Sequence, residues 1–356
     1  MKNVNVIAPV NNLGYGVASI NICKALSKRG VAVTLFPIGQ PAFSWEQEAN
    51  EVGPMIQSQG SFNPKAPCLK IWHEHSMGER IGTGKFVGFP FFEINSFDLP
   101  RINHLSSCDE IAVSCEWAKK IVDTQIPSAT VHTVPLGVDT SIFTALPPTK
   151  SDKFTFFNCG KWEKRKGHDL LISLFMQAFK NEPDVELWMM CDNPFLPPEH
   201  QSGWINLYRQ DPRVRLINRV QSQSELAQIA NSVDCGIFPS RAEGWNLEIL
   251  ELMSLGKSII TTEYSAHTEF CTDKNSMLVK PLKNEPAFDG FFFNGLGEWA
   301  SLEGTEEKFV EYMRYIYKTW KDGGKERIVN EEGIKTAQEF SWDKTAEKLE
   351  EILYEN

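Results

Sequence analysis

The stretch Cys235-Gly-Ile-Phe-Pro-Ser240-Arg-Ala-Glu243-Gly-Trp-Asn-Leu-Glu-Ile-Leu-Glu251 decides how this chain reads. A short apolar run ends at Phe238, a polar loop follows, and a helix is expected from about Gly244 through Ser254. This is how an open α/β sheet delivers residues to a ligand, because a helix N-terminus carries backbone N–H groups without intrahelical partners and attracts anions. Glu243 falls just before the helix and Glu251 two turns into it. One carboxylate can then face a sugar while the other reaches a ribose, both accepting from hydroxyls. Taken alone, the segment reads equally well as an acidic amphipathic helix with Glu248 and Glu251 solvated.

Working outward, Asn158-Cys-Gly160-Lys161-Trp-Glu-Lys164-Arg165-Lys166-Gly167 leaves another apolar run and enters a second helix near His168. Four cations cluster here although Lys and Arg total 36 against 46 Asp and Glu, a formal charge of -10. A nucleoside diphosphate needs positive charge where the leaving group accumulates negative charge, and glycines let the backbone approach it. The plain alternative is a solvated basic turn. Asn11-Asn-Leu-Gly14-Tyr-Gly16 is a weaker signal, a glycine turn after the first strand without dinucleotide spacing. Trp72-His73-Glu74-His75 ends a strand, and without a third convergent ligand it predicts a hydrogen-bonding histidine and no metal.

Short β-branched runs at Val4–Ala8, Val31–Phe36, Leu69–Trp72, Lys85–Phe89, Glu110–Val113 and Thr130–Val134 alternate with helical stretches such as Gly16–Arg29 and Trp117–Val122. A second series runs from Phe154–Asn158 to Ser258–Thr261, and helices are expected at Thr305–Trp320 and Trp342–Tyr354. The prediction is α/β, with two tandem Rossmann-like doubly wound domains facing a central cleft. The proline-bearing stretch 143–152 serves as linker. The first domain covers 1–146 and is rejoined by a C-terminal helix at 340–356; the second covers 147–339. A length of 356 residues suits two cores. Phe288-Asp-Gly-Phe-Phe-Phe-Asn294 reads as packing beneath a loop in preference to stacking on an acceptor.

Composition narrows the class. A hydrophobic share of 42% with 23% charged residues is that of a folded globular chain. The acidic balance disfavours nucleic acid apart from a local groove. Eight scattered cysteines without a Cys-x-x-Cys pair fit a reducing cytoplasm. The N-terminal apolar run is too short for a signal peptide, and no run approaches a membrane span, so any membrane contact is expected to be peripheral.

With these segments in order, the chain resembles family 4 of the retaining GT-B glycosyltransferases. The resemblance is carried by Glu243 and Glu251 with seven residues between them, by Leu252-Met-Ser-Leu-Gly256, by Glu269, by the strand ending in Ser114, and by Pro135-Leu-Gly137-Val-Asp139. It implies a nucleoside-diphosphate sugar donor, a UDP-sugar favoured, held mainly by the second domain. Glu251 would take the ribose hydroxyls, Glu243 the sugar hydroxyls, and Lys161 with Lys166 the diphosphate, Arg165 or Lys164 sharing that task because Lys161 lacks the planar fork of arginine. The backbone of Gly160, Gly244, Trp245, Asn246 and Leu247, with Gly14 and Gly16 from the first domain, would complete the donor site. A catalytic histidine is implied at His73 or His75, position favouring His75. Glu93, after Gly88-Phe-Pro-Phe-Phe, and His73 are placed on the acceptor side. Neither cofactor nor metal is implied, and the hexosyl acceptor is an unidentified hydroxyl of a glycan, lipid, protein or modified nucleobase. Lys161 stands where the family usually has arginine, Lys257 where proline is common, and Trp245 and Asn246 where smaller residues are frequent. Competing readings are a same-fold phosphorylase, a nucleotide-sugar hydrolase, or a non-catalytic binding subunit.

Overall fold

A computed structural model describes residues 2–43 and 45–355; Met1, Ser44 and Asn356, which the sequence assigns to the first domain and its closing helix, lie outside the described residues. The chain divides into two compact units, Met1–Asp139 with Phe340–Asn356, and Thr140–Glu339.

In the first unit, β1 (Asn3–Ala8), α1 (Gly14–Lys28), β2 (Ala32–Pro37), α2 (Glu46–Gln57), β3 (Cys68–Trp72), β4 (Phe86–Pro90), α3 (Leu99–Ser106), β5 (Glu110–Val113), α4 (Glu116–Gln125) and β6 (Val131–Thr133) follow one another. The six strands form one parallel sheet in the order β2-β1-β3-β4-β5-β6. Strand order therefore reverses between β1 and β3, and the segments after those strands, which hold Gly14, Gly16, His73 and His75, emerge on either side of that point.

The second unit runs β7 (Phe154–Gly160), α5 (His168–Ala178), β8 (Val185–Cys191), α6 (Pro198–Tyr208), β9 (Val214–Leu216), α7 (Gln223–Asn231), β10 (Cys235–Phe238), α8 (Leu247–Ser254), β11 (Ser258–Thr262), α9 (His267–Phe270), β12 (Met277–Val279), β13 (Asn284–Phe288), β14 (Asn294–Ala300), α10 (Glu306–Asp322) and α11 (Glu331–Glu339). Its six-stranded parallel sheet has the order β12-β11-β10-β7-β8-β9, and β13 and β14 form a separate antiparallel hairpin. Helices on both faces of a parallel sheet demand strands apolar on both sides. Phe154, Phe156, Val185, Leu187, Met189, Cys235 and Ile237 supply one face, to which α10 adds Phe309, Met313, Ile316 and Trp320, and Phe157, Cys159, Met190, Phe238 and Ile259 are buried on the other. Among the described residues no helix is long and apolar enough to cross a membrane.

Two placements differ from the sequence reading. The predicted linker 143–152 lies within the second unit, whose boundary falls at Asp139/Thr140: Phe143 is buried and its carbonyl accepts from Ser254 Oγ at 2.5 Å. The phenylalanine run at 288–294 does not pack under a loop. It forms the tip of the β13–β14 hairpin, with Phe288, Phe291 and Phe292 exposed, because the hairpin turn carries the rings away from the core. Helices α2, α3, α6, α9 and α11 are absent from the sequence reading; α2 holds Pro54, and α3 starts from the Asp98 side chain, which accepts from Arg101 N.

The closing helix α12 (Trp342–Tyr354) belongs to the first unit. Val138 N donates to Phe340 O at 3.1 Å, Thr345 Oγ1 donates to Pro135 O at 2.8 Å, and Glu350 receives Lys2 and Arg29. The crossing is tightest at Gly137, where a Cβ would stand 2.2 Å from Trp342 N and 2.3 Å from the carbonyl carbon of Ser341. Backbone cannot yield there as a side-chain tip would. Gly137→Ala is therefore expected to destabilise the first unit by about 2–3 kcal/mol in urea unfolding; a loss below ~0.5 kcal/mol, the range of ordinary surface changes, would remove the close approach as the reason for this glycine.

Candidate functional site

In the second sheet the order reverses between β7 and β10, and the loops after these two strands open side by side. Ligands of open α/β sheets bind outside the strand C-termini at such a reversal, because successive helices there pass to opposite faces and leave a crevice. The β7–α5 loop carries Lys161 to Gly167, just after Gly160 ends β7, and the β10–α8 loop carries Pro239 to Asn246, the two stretches that the sequence singles out.

Their side chains meet in a buried ion network. Glu243 Oε1 accepts from Lys166 Nζ at 2.9 Å and from Ser240 Oγ at 2.9 Å, while Oε2 accepts from Arg165 Nη1 at 2.6 Å. Arg165 also donates through Nε and Nη2 to Glu163 Oε2 at 3.0 and 2.6 Å and through Nη1 to Ala242 O at 2.7 Å. Glu163 Oε1 in turn pairs with Lys161 Nζ at 2.7 Å. Burial alone would raise both carboxyl pKa values, but the neighbouring cations prevail: Glu243 lies far below the usual carboxylate range and Glu163 falls to about 2. For Lys166, burial opposes the charge and the Glu243 carboxylate restores it, so its pKa lies above the ordinary lysine value. Three cations and two carboxylates make up the network, and Glu248 is a further carboxylate acting on Lys166. Arg165, grouped with the phosphate residues in the sequence reading, directs this set of donors at Glu163, Ala242 and Glu243, and so holds Glu243 in place.

The loops are shaped by contacts that only the fold supplies. Gly160 has φ +134°, and its missing Cβ leaves room for the Lys166 stem, which a Cβ would approach to 3.1 Å. Gly167, with φ +74°, lies where a Cβ would come within 2.0 Å of Pro239 O, so the two loops touch through backbone. Glu163 N donates to His168 Nδ1 at 3.2 Å, which leaves Nε2–H to donate to Asn158 Oδ1 at 2.9 Å. Burial, reinforced by Lys166, lowers the His168 pKa to about 3, so this ring is a neutral strut.

Helix α8 starts at Leu247, later than the expected Gly244, because Asn246 takes a left-handed φ of +83° and ends the extended approach. Asparagine tolerates that region better than most residues. Its Nδ2 donates to His267 Nε2 at 3.0 Å, while His267 Nδ1 donates to Thr262 O at 3.0 Å. Burial lowers the His267 pKa to about 4, keeping it neutral. Ser265 Oγ accepts from Glu243 N at 2.8 Å, and Trp245 is buried against Phe270. The roles of Glu163, His168, Ser240, Ser265 and His267 escaped the sequence reading. The available clue was Ser265-Ala-His267 just beyond the end of β11, on the same edge of the sheet.

Glu251, on α8, is 7% exposed, and among the described residues no hydrogen bond or ion pair reaches its carboxyl. Burial, with Glu248 adding repulsion, raises its pKa to about 8. A largely buried carboxyl without a protein partner is costly to ionise, and a ligand hydroxyl would relieve that cost.

In the first unit, Tyr15 Oη donates to Phe91 O at 2.6 Å and lies 3.3 Å from His73 Nδ1, while the rings of His73 and His75 stack at 5.1 Å. Glu74, buried between them in sequence, accepts from Arg101 Nε at 2.8 Å. Its burial is outweighed by His75 and Arg101, which lower its pKa. One ligating atom each from His73, Glu74 and His75 lies within 4.8 Å of the others, with the Arg101 guanidinium already on the carboxylate. Gly16 shapes its own loop, since a Cβ there would meet Asn11 O at 2.1 Å, whereas Gly14 faces open space. Glu93 is half-buried beyond the end of β4.

Residues 153–289 match the family model described as "Glycosyl transferases group 1". No curated protein matches the chain. Among solved structures it is similar to sucrose-phosphate synthase from Thermosynechococcus elongatus, with a TM-score of 0.71 and 12% identity over 99% of this chain and 98% of that one. It is likewise similar to HepE of Anabaena in complex with UDP and glucose, with a TM-score of 0.67 and 15% identity over 100% of both chains. A glycosyltransferase from Rickettsia africae gives 0.68 and 13% over 99% and 98%. The fold is that of the GT-B glycosyltransferases, two six-stranded parallel sheets, and the matched segment spans both loops of the ion network. Together they support a nucleotide-sugar glycosyltransferase.

The carboxyl at Glu251 makes a test of this geometry. Its folded-state pKa lies above its ordinary value of 4.5. It therefore contributes stability that is complete below that value and is lost as pH rises through about 8. Relative to Glu251→Gln, the wild type is expected to lose about 1.4 kcal/mol per pH unit in urea unfolding between pH 6 and 8, flattening above. Parallel curves for the two proteins would contradict a buried, unpartnered carboxyl.

Proposed function

We propose that the chain is a retaining, metal-independent hexosyltransferase that takes its sugar from a nucleoside diphosphate, favouring UDP, and passes it to a hydroxyl acceptor. The observation that carries this reading is the gathering of Lys161, Arg165 and Lys166 in one buried network with Glu163 and Glu243, on the two loops that precede α5 and α8, together with the unpartnered Glu251 carboxyl on α8. One half suits a diphosphate and the other a pair of ribose hydroxyls. That HepE was solved with UDP and with UDP-glucose supports uridine as the base.

In this reading Glu251 accepts from the ribose, Glu243 from the donor sugar, and Lys166 and Lys161 meet the diphosphate. The backbone of Gly160, Gly244, Trp245, Asn246 and Leu247 lies along its path. As the bond from the anomeric carbon to the phosphate oxygen breaks, negative charge grows on the departing diphosphate next to cations held in a dry setting, where such stabilisation is large. The acceptor oxygen bonds to the same face of the anomeric carbon, and its proton passes to the departing phosphate. Lysine and arginine supply the charge that a divalent ion supplies elsewhere. The first unit contributes the acceptor side, through Glu93 and His73, with His75 hydrogen-bonding the sugar and Gly14 and Gly16 shaping the loop after β1.

UDP is expected to raise the melting temperature more than GDP or ADP does, by an amount set by its concentration over Kd, and Glu251→Ala should abolish the shift. Glu243→Ala should lower turnover of UDP-sugar at least ~100-fold, the scale of losing one preorganised charge contact, while UDP binding changes only a few-fold. Product formed in the presence of EDTA should keep the donor's anomeric configuration by proton NMR. Inversion, or a metal requirement, would defeat the corresponding part of the proposal.

A further inference from the structure

Four of the nine large hydrophobic side chains exposed among the described residues gather at one place: Phe288, Phe291 and Phe292 on the β13–β14 hairpin, and Phe195 in the β8–α6 loop. Concentrated apolar exposure of this kind marks a binding surface more often than a chance array. Its order argues the same way. Asp289 Oδ1 accepts from the backbone N–H of Phe291, Phe292 and Phe293, each at 2.8 Å, and Asp289 N donates to Phe293 O. At the root, Glu285 receives Arg241 Nε at 2.8 Å, Trp299 Nε1 at 3.1 Å and Ser301 Oγ at 2.8 Å. The rings are thus presented by a braced hairpin, which lowers the ordering cost of any ligand. The match to the glycosyl transferase model stops at residue 289, so the tip and its return strand lie beyond it.

The patch adjoins the proposed donor machinery. Lys161 Nζ, paired with Glu163, lies 5.7 Å from the Phe195 ring centre and 5.6 Å from that of Phe292, and Lys164 Nζ donates to Phe288 O at 3.2 Å. Phe291 and Phe292 cross at 76° with centres 4.6 Å apart, and Phe195 meets Phe292 at 89°. Edge-to-face contacts of this kind leave ring faces directed in different directions.

We infer that this hairpin tip is a saccharide platform, on which the C–H faces of successive pyranose rings of a glycan acceptor stack against Phe291, Phe292 and Phe195. A pyranose has an apolar face and a polar rim. The crossed rings turn their faces in different directions; the Lys161 ammonium lies over one face of both Phe195 and Phe292 and His200 flanks Phe291, so polar groups border the faces left for stacking. A lipid surface fits less well, since the chain carries a formal charge of -10, which anionic headgroups repel. The inference rests on the transferase reading only for calling the saccharide an acceptor; its binding is measured without donor or turnover.

The full chain, labelled with 4-fluorophenylalanine, is titrated with maltotetraose, cellotetraose and chitotetraose, the resonances of residues 291 and 292 being assigned through F291L and F292L. At least one oligosaccharide is expected to shift those resonances with saturation. The double variant F291S/F292S should weaken its binding at least tenfold while UDP affinity stays within twofold, and F292W should retain it. The inference is overturned if none of the three oligosaccharides moves either resonance. It is equally overturned if the double variant loses UDP to the same degree, which would make the rings part of the nucleotide site. Sedimentation of wild type, but not the double variant, with phosphatidylcholine–phosphatidylglycerol vesicles would replace it with a membrane foot. Failure of UDP to bind at all, with the oligosaccharide shifts intact, would count against the transferase reading alone.

Discussion

The mutual neutralisation of Glu243, Arg165, Lys166, Glu163 and Lys161 is the constraint on which the second unit's site depends. Five ionised groups taken largely out of water are tolerable only if each has its partners, and withdrawing one leaves a buried charge uncompensated at a cost of about 3–5 kcal/mol. The loops after β7 and β10 are therefore locked to one another as firmly as if they shared a core.

Around that network the protein uses neutral groups wherever a charge would compete. His168 and His267 are both buried, both forced into one tautomer by a backbone partner, and both held uncharged near neutrality. Each braces one loop: His168 holds the backbone at Glu163, and His267 holds Asn246 at the entrance to α8. Had either ring carried a proton at pH 7, another cation would have competed for the carboxylates that now pair with Arg165 and the lysines. Glu251 stands apart from this economy, a carboxyl with no protein partner, raised in pKa by burial and by Glu248.

The alternating pattern of the sequence was enough to reveal two parallel sheets, since a strand buried on both faces needs an unbroken apolar run and a crossover helix needs a periodic one. Ser240–Glu251 and Asn158–Gly167 were legible for the same reason, as polar breaks at the C-terminal ends of such runs. The boundary between units was less legible, because Phe143 and the two prolines look like linker locally and are claimed by the second unit through Ser254. The hairpin at 284–300 was misread because a cluster of phenylalanines ordinarily signals burial, and only the brace of Asp289 and Glu285 explains how three of them stand in solvent.

By itself, then, the sequence determined the fold class, the two loops that matter and the residue types they carry, since these depend on local periodicity and on chemistry written in order along the chain. Tertiary structure alone decided which cation meets which carboxylate, that Arg165 braces Glu243, that Glu251 is left without a partner, and that the helix waits for Asn246 before it begins. Those outcomes depend on distances across a sheet whose strand order reverses, between residues some eighty positions apart. No reading along the chain contains that separation; it exists only once β7 and β10 lie side by side.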